Sequence, residues 1–412
     1  MTQHHGQYAA GIRRREAGSS QAATLIALGT LPTMAIASLV PALPALFAHF
    51  GSTPNKELLV PMILTVPSLC VALFSAPIGA AADRWGRRPV LLIALTAFSL
   101  CGVLPMLFDD LYSMIASRVA VGVAEAAVLT VGNALMGDYF DGERRRYWLG
   151  IQMSIGPFVA TSYILIGGAL ASWSWRGPFL IYLIGLSVLG AALVFLHEPV
   201  SRVAPAVDSM AKSRFPWVAT VQVGAMTLLV SIIYFLQAVQ HGRIFSDLGV
   251  VTPAHIGWIV SVASAGTVIG GYVFKQLPPR PVAVLLATSF ACYGVSYLGI
   301  GLSPNYWVGL AFDAVGQFAG GFVLPTLIAW ALTKYGYEHR GRGMGFWGGC
   351  FFLGQFLSPP VMTLIAHGEL SFLASVAVLG VLCLALAVIA AFFARSKQSA
   401  IAGDGLRPGD VD

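Results

Sequence analysis

Charge is scarce in this sequence. Of 412 residues only 10% are Asp, Glu, Lys or Arg, against roughly 25% in a soluble domain. So few charges cannot make a water-facing surface, and most of this surface must face lipid. Length alone would suggest two or three soluble domains; with 57% hydrophobic residues it suggests one membrane bundle with two halves. Cysteine is also scarce. Cys70, Cys101, Cys292, Cys350 and Cys383 all fall in apolar segments, with no Cys-x-x-Cys pair and no Cys/His spacing that fits zinc. Among the histidines, His4–His5 lies in a polar tail and the others scatter at helix ends, so no metal site is expected. No Walker loop is present, which argues against ATP as energy source. The run Gly341-Arg-Gly-Met-Gly345 has some likeness to a nucleotide loop but lacks a preceding strand. With Gly348, Gly349 and Gly354 it reads as small residues allowing close helix packing. No nucleophile–base pair stands out and no external loop is long enough for a catalytic or sensory domain. An enzyme or a receptor-like sensor is therefore disfavoured, and no cofactor is expected. The net charge of +6 sits beside helix ends, so nucleic acid is not an expected partner.

What is present is apolar length. A membrane span needs ~20 mainly apolar residues, and such stretches number twelve. The first six lie near 23–48, 58–82, 89–107, 111–137, 147–171 and 178–196; the second six lie near 217–240, 255–274, 281–302, 306–332, 343–366 and 370–394. They are numbered here as spans 1 to 12. The first is too long for a signal-peptide core, lacks a convincing cleavage site and is expected to be retained. Proline is frequent within the spans, at Pro32, Pro41, Pro44, Pro61, Pro67, Pro77, Pro157, Pro325, Pro359 and Pro360. In a bilayer, neighbouring helices and polar side chains re-satisfy the backbone groups that proline frees.

Lys and Arg set the orientation. With the N-terminus in the cytoplasm, internal loops hold 14 of them, the tails six and the external loops three, namely Lys56, Arg176 and Arg243. Arg118 is left inside a span. Both termini are therefore expected to be cytoplasmic. The one long internal connection divides the chain into a tail (1–22), a first six-helix bundle (23–197), a linker (198–216), a second six-helix bundle (217–394) and a tail (395–412). Such a layout suggests two parallel halves with a cavity between them. The halves echo each other: Arg118-Val-Ala-Val-Gly122 on span 4 is similar to Asp313-Ala-Val-Gly316 on span 10, and Arg144–Arg146 to Arg340 and Arg342.

Between spans 2 and 3 the chain reads Gly79-Ala-Ala-Ala-Asp83-Arg84-Trp85-Gly86-Arg87-Arg88-Pro89. A basic turn obeying the charge rule would explain Arg84, Arg87 and Arg88, but not Gly79, Asp83 and Gly86 at their offsets. The run resembles the G-x-x-x-D-R-x-G-R-[RK] loop of the major facilitator superfamily, in the same internal loop. The resemblance implies an all-α membrane fold of twelve helices in two six-helix bundles and a secondary carrier. It also implies a gating role for Gly79, Asp83, Arg84, Gly86, Arg87 and Arg88. Gly86 permits a tight reversal, and Asp83 is expected to face the start of span 11 near Gly341–Gly345, where a helix dipole favours an anion. Arg118-x-x-x-Gly122 is similar to a segment linked in the family with proton coupling. Arg118-Val-Ala-Val-Gly122-Val-Ala-Glu125-Ala126 is also similar to spinster-type carriers of lysolipids. Ser174-Trp175-Arg176-x-x-Phe179 looks like the family's loop before span 6. Gly156-Pro157 and Gly167-Gly168 on span 5 are eleven residues apart, unlike the compact G-P-x-x-G-G run of drug/proton antiporters.

Three charges remain inside spans: Arg118, Glu125 and Asp313. Each costs at least ~2.5 kcal/mol near the bilayer centre, so each is a functional candidate. Arg118 and Glu125 return to nearly the same helix face, ~10 Å apart along the axis. Glu125 is expected to be a proton-binding carboxylate opposed by Arg118, with Asp313 a second candidate. A structural ion pair or a helix cap is the plain alternative for each. The polar cavity lining is expected from Asn133, Gln152, Gln237, Gln240, Gln317 and Gln355, and the aromatic lining from Tyr163, Tyr234, Phe318, Trp330 and Trp347. The expected function is secondary transport of a small organic solute across the cell membrane by alternating access, proton-coupled, with export favoured. A lysolipid carrier and a proton symporter importing an organic metabolite are the alternatives. Expected partners are the solute, protons and the lipid bilayer, with the chain acting as a monomer.

Overall fold

A computed structural model of the chain describes residues 17–199, 214–278, 280–366 and 370–403, with side chains described as far as Ala394. The tail arginines Arg13–Arg15 and Arg407, the linker residues Arg202 and Lys212, and the side chains of Arg395 and Lys397 lie outside what is described. Twelve helices among the described residues are long and apolar enough to cross a membrane. The first six are Ser19–His49, Lys56–Trp85, Arg87–Leu107, Leu111–Tyr139, Gly142–Trp173 and Gly177–Phe195. The second six are Trp217–Asp247, Pro253–Gln276, Val282–Gly301, Tyr306–Lys334, Arg340–Ile365 and Phe372–Ala394. They take the numbers 1 to 12 already used for the spans. The helix of span 12 continues to Gly403.

The helices outrun the apolar stretches because polar ends cost nothing beyond the hydrocarbon. This corrects the placement of several basic residues in loops. Arg144–Arg146 lie in the first turns of span 5, Arg340 and Arg342 in those of span 11, and Arg243 inside span 7. Between spans 2 and 3 a single residue, Gly86, breaks the helix at φ +96°, a conformation that suits glycine. Eight prolines sit inside helices. Pro41 and Pro44 instead accompany a short 3-10 turn, Val40–Ala42, that breaks span 1. Pro359 has no N–H to give the carbonyl of Gln355, and the Ser358 hydroxyl donates to it instead at 2.8 Å.

Spans 4 and 10 are matched in detail. Each is 29 residues long, and each is capped by a side chain. Asp110 accepts from Ser113 N, and Asn305 accepts from Trp307 N and Val308 N. Arg118 and Asp313 each stand seven residues beyond the first residue of their helix. Within each half, glycines let helices close on one another. Gly122 of span 4 lies against Pro67 and Cys70 of span 2, and Gly294 and Gly380 pack spans 9 and 12 together.

Contacts between the halves follow a two-fold pattern. Span 2 packs on span 11 and span 5 on span 8, the same pairing made twice if span n corresponds to span n + 6. Span 1 meets span 7 near the axis. These contacts seal one end. Gly168 of span 5 sits on the backbone of Pro253 and Ala254, and the Ser172 hydroxyl accepts from Ala254 N at 3.0 Å. Gly242 of span 7 sits on the broken part of span 1 at Val40 and Leu43. At the other end, where Arg84, Arg87, Arg88 and Arg144–Arg146 stand, the halves diverge. The buried residues of span 5 begin only at Tyr163. Gly150 and Gly156 of span 5 and Gly341, Gly345 and Gly348 of span 11 face open space. The molecule is thus closed at one end and open at the basic end.

Candidate functional site

The first half buries Arg118 completely, at 0% exposure. Its Nη2 donates to the carbonyls of Gly102, at 3.0 Å, and Cys101, at 3.4 Å. Both carbonyls belong to the last turn of the Arg87–Val103 helix, where the dipole favours a cation. Its guanidinium carbon lies 5.1 Å from the ring centres of both Phe179 and Tyr182. Nε and Nη1 have no hydrogen-bond partner among the described residues. Glu125 is buried too, one turn beyond Gly122, and its Oε2 has no hydrogen-bond partner among the described residues. Arg118 and Glu125 share a helix face, as their spacing requires, yet among the described residues neither forms an ion pair.

The second half holds a connected network. Asp313 is at 0% exposure, and its Oδ1 accepts from Gln237 Nε2 and lies 3.0 Å from His241 Nε2. Gln237 Nε2 also reaches the Asp313 carbonyl at 3.0 Å and Ser296 Oγ at 3.5 Å. Gln317 Nε2 lies 3.3 Å from His241 Nε2, and its Oε1 accepts from Thr267 Oγ1 of span 8 at 2.9 Å. Asp313 Oδ2 has no hydrogen-bond partner among the described residues. His241 corrects the reading of histidines as scattered residues at helix ends: it is buried and paired. Its signal was in the sequence. Gln237 and His241 are four apart on span 7, and Asp313 and Gln317 are four apart on span 10, so each pair shares a helix face.

The remaining lining candidates divide. Gln355 is buried, Gln152 is half-buried with its amide against Gly29, and Asn133 is exposed. Tyr163 shares a 3.2 Å hydrogen bond with Thr30. Tyr234 and Trp347 both meet Phe351, the latter stacked at 5.4 Å. Phe318 stacks on Phe322 at 6.3 Å, and Trp330 is half-buried. Gln240 is buried with Oε1 unpartnered, and with Arg243, Glu57 and Met362 it lines a cavity of about 360 Å³ at the sealed end. There Arg243 pairs with Glu57 across the two halves and lies over the rings of Phe47 and Phe372.

At the basic end the loop is braced within its own half. Arg87 binds both Asp83 and Asp138. Glu198, at the end of the first half, accepts from Arg87 N at 2.7 Å and from Arg88 N at 2.8 Å, which caps span 3. Gly79 lies against Thr130, and Arg84 is exposed. The partner found for Asp83 is therefore Arg87, not the start of span 11. Glu198 and Asp138 escaped the sequence reading because their contacts join segments far apart in the chain.

Two bundles of six membrane helices, joined by paired contacts and open at one end, define the class as a transporter. A model of the Major Facilitator Superfamily matches residues 25–246 and 220–408, and the chain belongs to that superfamily. Similar curated proteins include the class C tetracycline resistance protein of Escherichia coli, 24% identical over 84% of this chain and 90% of its own length. The bacillibactin exporter of Bacillus subtilis is 25% identical over 82% of this chain and 88% of its own length. Among solved structures, a bacterial homologue of the human lysosomal transporter Spinster, inward-facing and unoccupied, superposes with a TM-score of 0.70 at 17% identity. That match covers 97% of this chain and 100% of the other, and it shows a shared fold. The chain is a multi-pass membrane protein and a transporter.

Proposed function

We propose that this transporter exports a small organic solute across the cell membrane by alternating access, driven by protons. The carrying observation is the pairing of a sealed end and an open end with buried ionisable groups on the matched spans 4 and 10. A carrier that alternates must exchange those two ends, and a buried carboxylate is where a proton can tie the exchange to a gradient. Glu125 and Asp313 are the candidate acids, with Arg118 fixing the frame of span 4. The excess of Lys and Arg at the open end supports placing that end, and both termini, in the cytoplasm. Export is supported by the resistance protein and the exporter among similar chains. The Asp83–Arg88 loop is proposed to act in gating, through the Arg87 contacts with Asp83 and Asp138. A carrier working as a monomer, in two bundles of residues 23–197 and 217–394, completes this reading.

A second reading rests on the Arg118-to-Ala126 run of span 4, which is similar to spinster-type lysolipid carriers. One experiment separates the two. The chain is reconstituted in liposomes with an imposed pH gradient and offered tetracycline, bacillibactin, an organic acid and a lysophospholipid in turn. Proton flux that follows a soluble compound supports the first reading, and lysophospholipid movement supports the second. Solute movement indifferent to the pH gradient refutes proton coupling.

A further inference from the structure

We propose that His241 and Asp313 form a dyad that holds one exchangeable proton between spans 7 and 10. The proposal rests on the proton-coupled reading and makes it specific. It assigns the proton to a pair in which His241 is a full partner.

The geometry carries the argument. His241 Nε2 and Gln237 Nε2 converge on one oxygen, Asp313 Oδ1. The other oxygen, Oδ2, is buried without a partner among the described residues. A bare carboxylate is poorly served there, because one of its two acceptor atoms faces no donor. With one proton in the pair, as carboxylic acid plus imidazole, the dyad is neutral. Without it, the dyad carries one negative charge in a buried place. The titratable and charged groups facing it offer little compensation. From span 9, Tyr297 donates to the Ile233 carbonyl and Tyr293 stands beside it with an unpartnered hydroxyl. Span 8 presents Thr267, which does not titrate, and its His255 stands near Tyr306 at the start of span 10. On span 11, Arg340 and Arg342 lie in the first turn at the opposite, basic end. The ion-pair partner that the structure gives Asp313 is His241.

The amide of Gln317 can report the proton. As placed, its nitrogen faces His241 Nε2 and its oxygen accepts from Thr267. That orientation suits an imidazole nitrogen that accepts. A proton on Nε2 suits the flipped amide, which turns its nitrogen toward Thr267. The state of the dyad is thereby felt on span 8, which also carries part of the seal against span 5.

The test needs no known solute. Purified full-length protein is titrated while infrared difference spectra follow the C=O stretch of protonated carboxyl groups. The expected result is a band that titrates in the wild type, vanishes in Asp313→Asn, and shifts its midpoint by about one pH unit or more in His241→Gln. A spectrum unchanged in Asp313→Asn, or a midpoint unchanged in His241→Gln, overturns the dyad. If Asp313→Asn does not fold, the His241→Gln midpoint decides alone. The liposome experiment fails separately: an intact band without solute-linked proton flux refutes coupling and leaves the dyad standing. Flux without the band refutes the dyad and leaves coupling standing.

Discussion

Arg118 and Glu125 differ in what their removal leaves behind. Arg118 holds two carbonyls at the end of one helix and fills the space between two aromatic rings. Arg118→Ala strands those carbonyls, at about 1–3 kcal/mol for each buried group left unmade. A fall in melting temperature of several degrees is expected by differential scanning fluorimetry, with Arg118→Lys intermediate because an ammonium loses the planar stacking. Glu125 has an unpartnered buried oxygen, so Glu125→Gln is expected to leave the melting temperature unchanged or raised while altering the pH dependence of transport. Asp110 gives a pH-dependent case outside the membrane. Its backbone and side-chain hydrogen bonds with Ser113 lower its pKa from the ordinary value. Its stabilisation is therefore full above the unfolded pKa and lost as pH falls through the folded one. The melting temperatures of wild type and Asp110→Ala should differ at neutral pH and converge in acid. Residue chemistry was only partly legible in the sequence. Three lone charges inside apolar spans announce themselves. His241 did not, because a histidine near a helix end looks solvated until the facing helix is known, although its four-residue spacing from Gln237 was visible.

Helices were the most legible elements, because a bilayer leaves apolar runs little choice of conformation. Their ends were less so, since hydropathy marks where the chain leaves lipid and not where the helix stops. Span 5 shows this, starting at Gly142 with three arginines already in helical turns. The close approach of helices was not legible either, as a glycine on a lipid face and one on a seal read alike. Gly168 and Gly122 separate the two cases. A side chain on Gly168 meets the Pro253 carbonyl at 2.8 Å, across the two halves. One on Gly122 meets Pro67 Cα at 2.6 Å, within a half. Gly168→Val is expected to pry open the sealed end, with amide hydrogen exchange rising at 164–173 and 253–263. Gly122→Val is expected to lower the melting temperature without that local signature. Equal exchange at both regions in the two variants would count against the assignment of span 5 and span 8 as the seal.

For the whole molecule, the proposed alternating access would use the two-fold pairing of spans 2 with 11 and 5 with 8 to open one end as the other closes. The Glu57–Arg243 pair, flanked by Phe47 and Phe372, joins the halves at the sealed end. A partly exposed ion pair contributes about 0–1 kcal/mol, and the ring contacts add roughly 0.5–1 kcal/mol. Glu57→Arg alone is expected to shift the balance of closed and open forms by about tenfold, since ~1.4 kcal/mol is one decade. The reversed pair, Glu57→Arg with Arg243→Glu, should restore it. Distances between spin labels at Leu107 and Leu302 would read that balance, since both side chains are exposed near the ends of their spans. If the reversed pair behaves like the single change, the contact is not a latch.

The cap that Glu198 places on span 3 ties the last residues of the first half back to the start of its own third helix. The first half is thus braced as one unit as far as Glu198. A carrier built this way should survive being cut. Fragments 1–199 and 214–412, produced together in one cell, would be expected to find each other in the membrane and copurify as one particle.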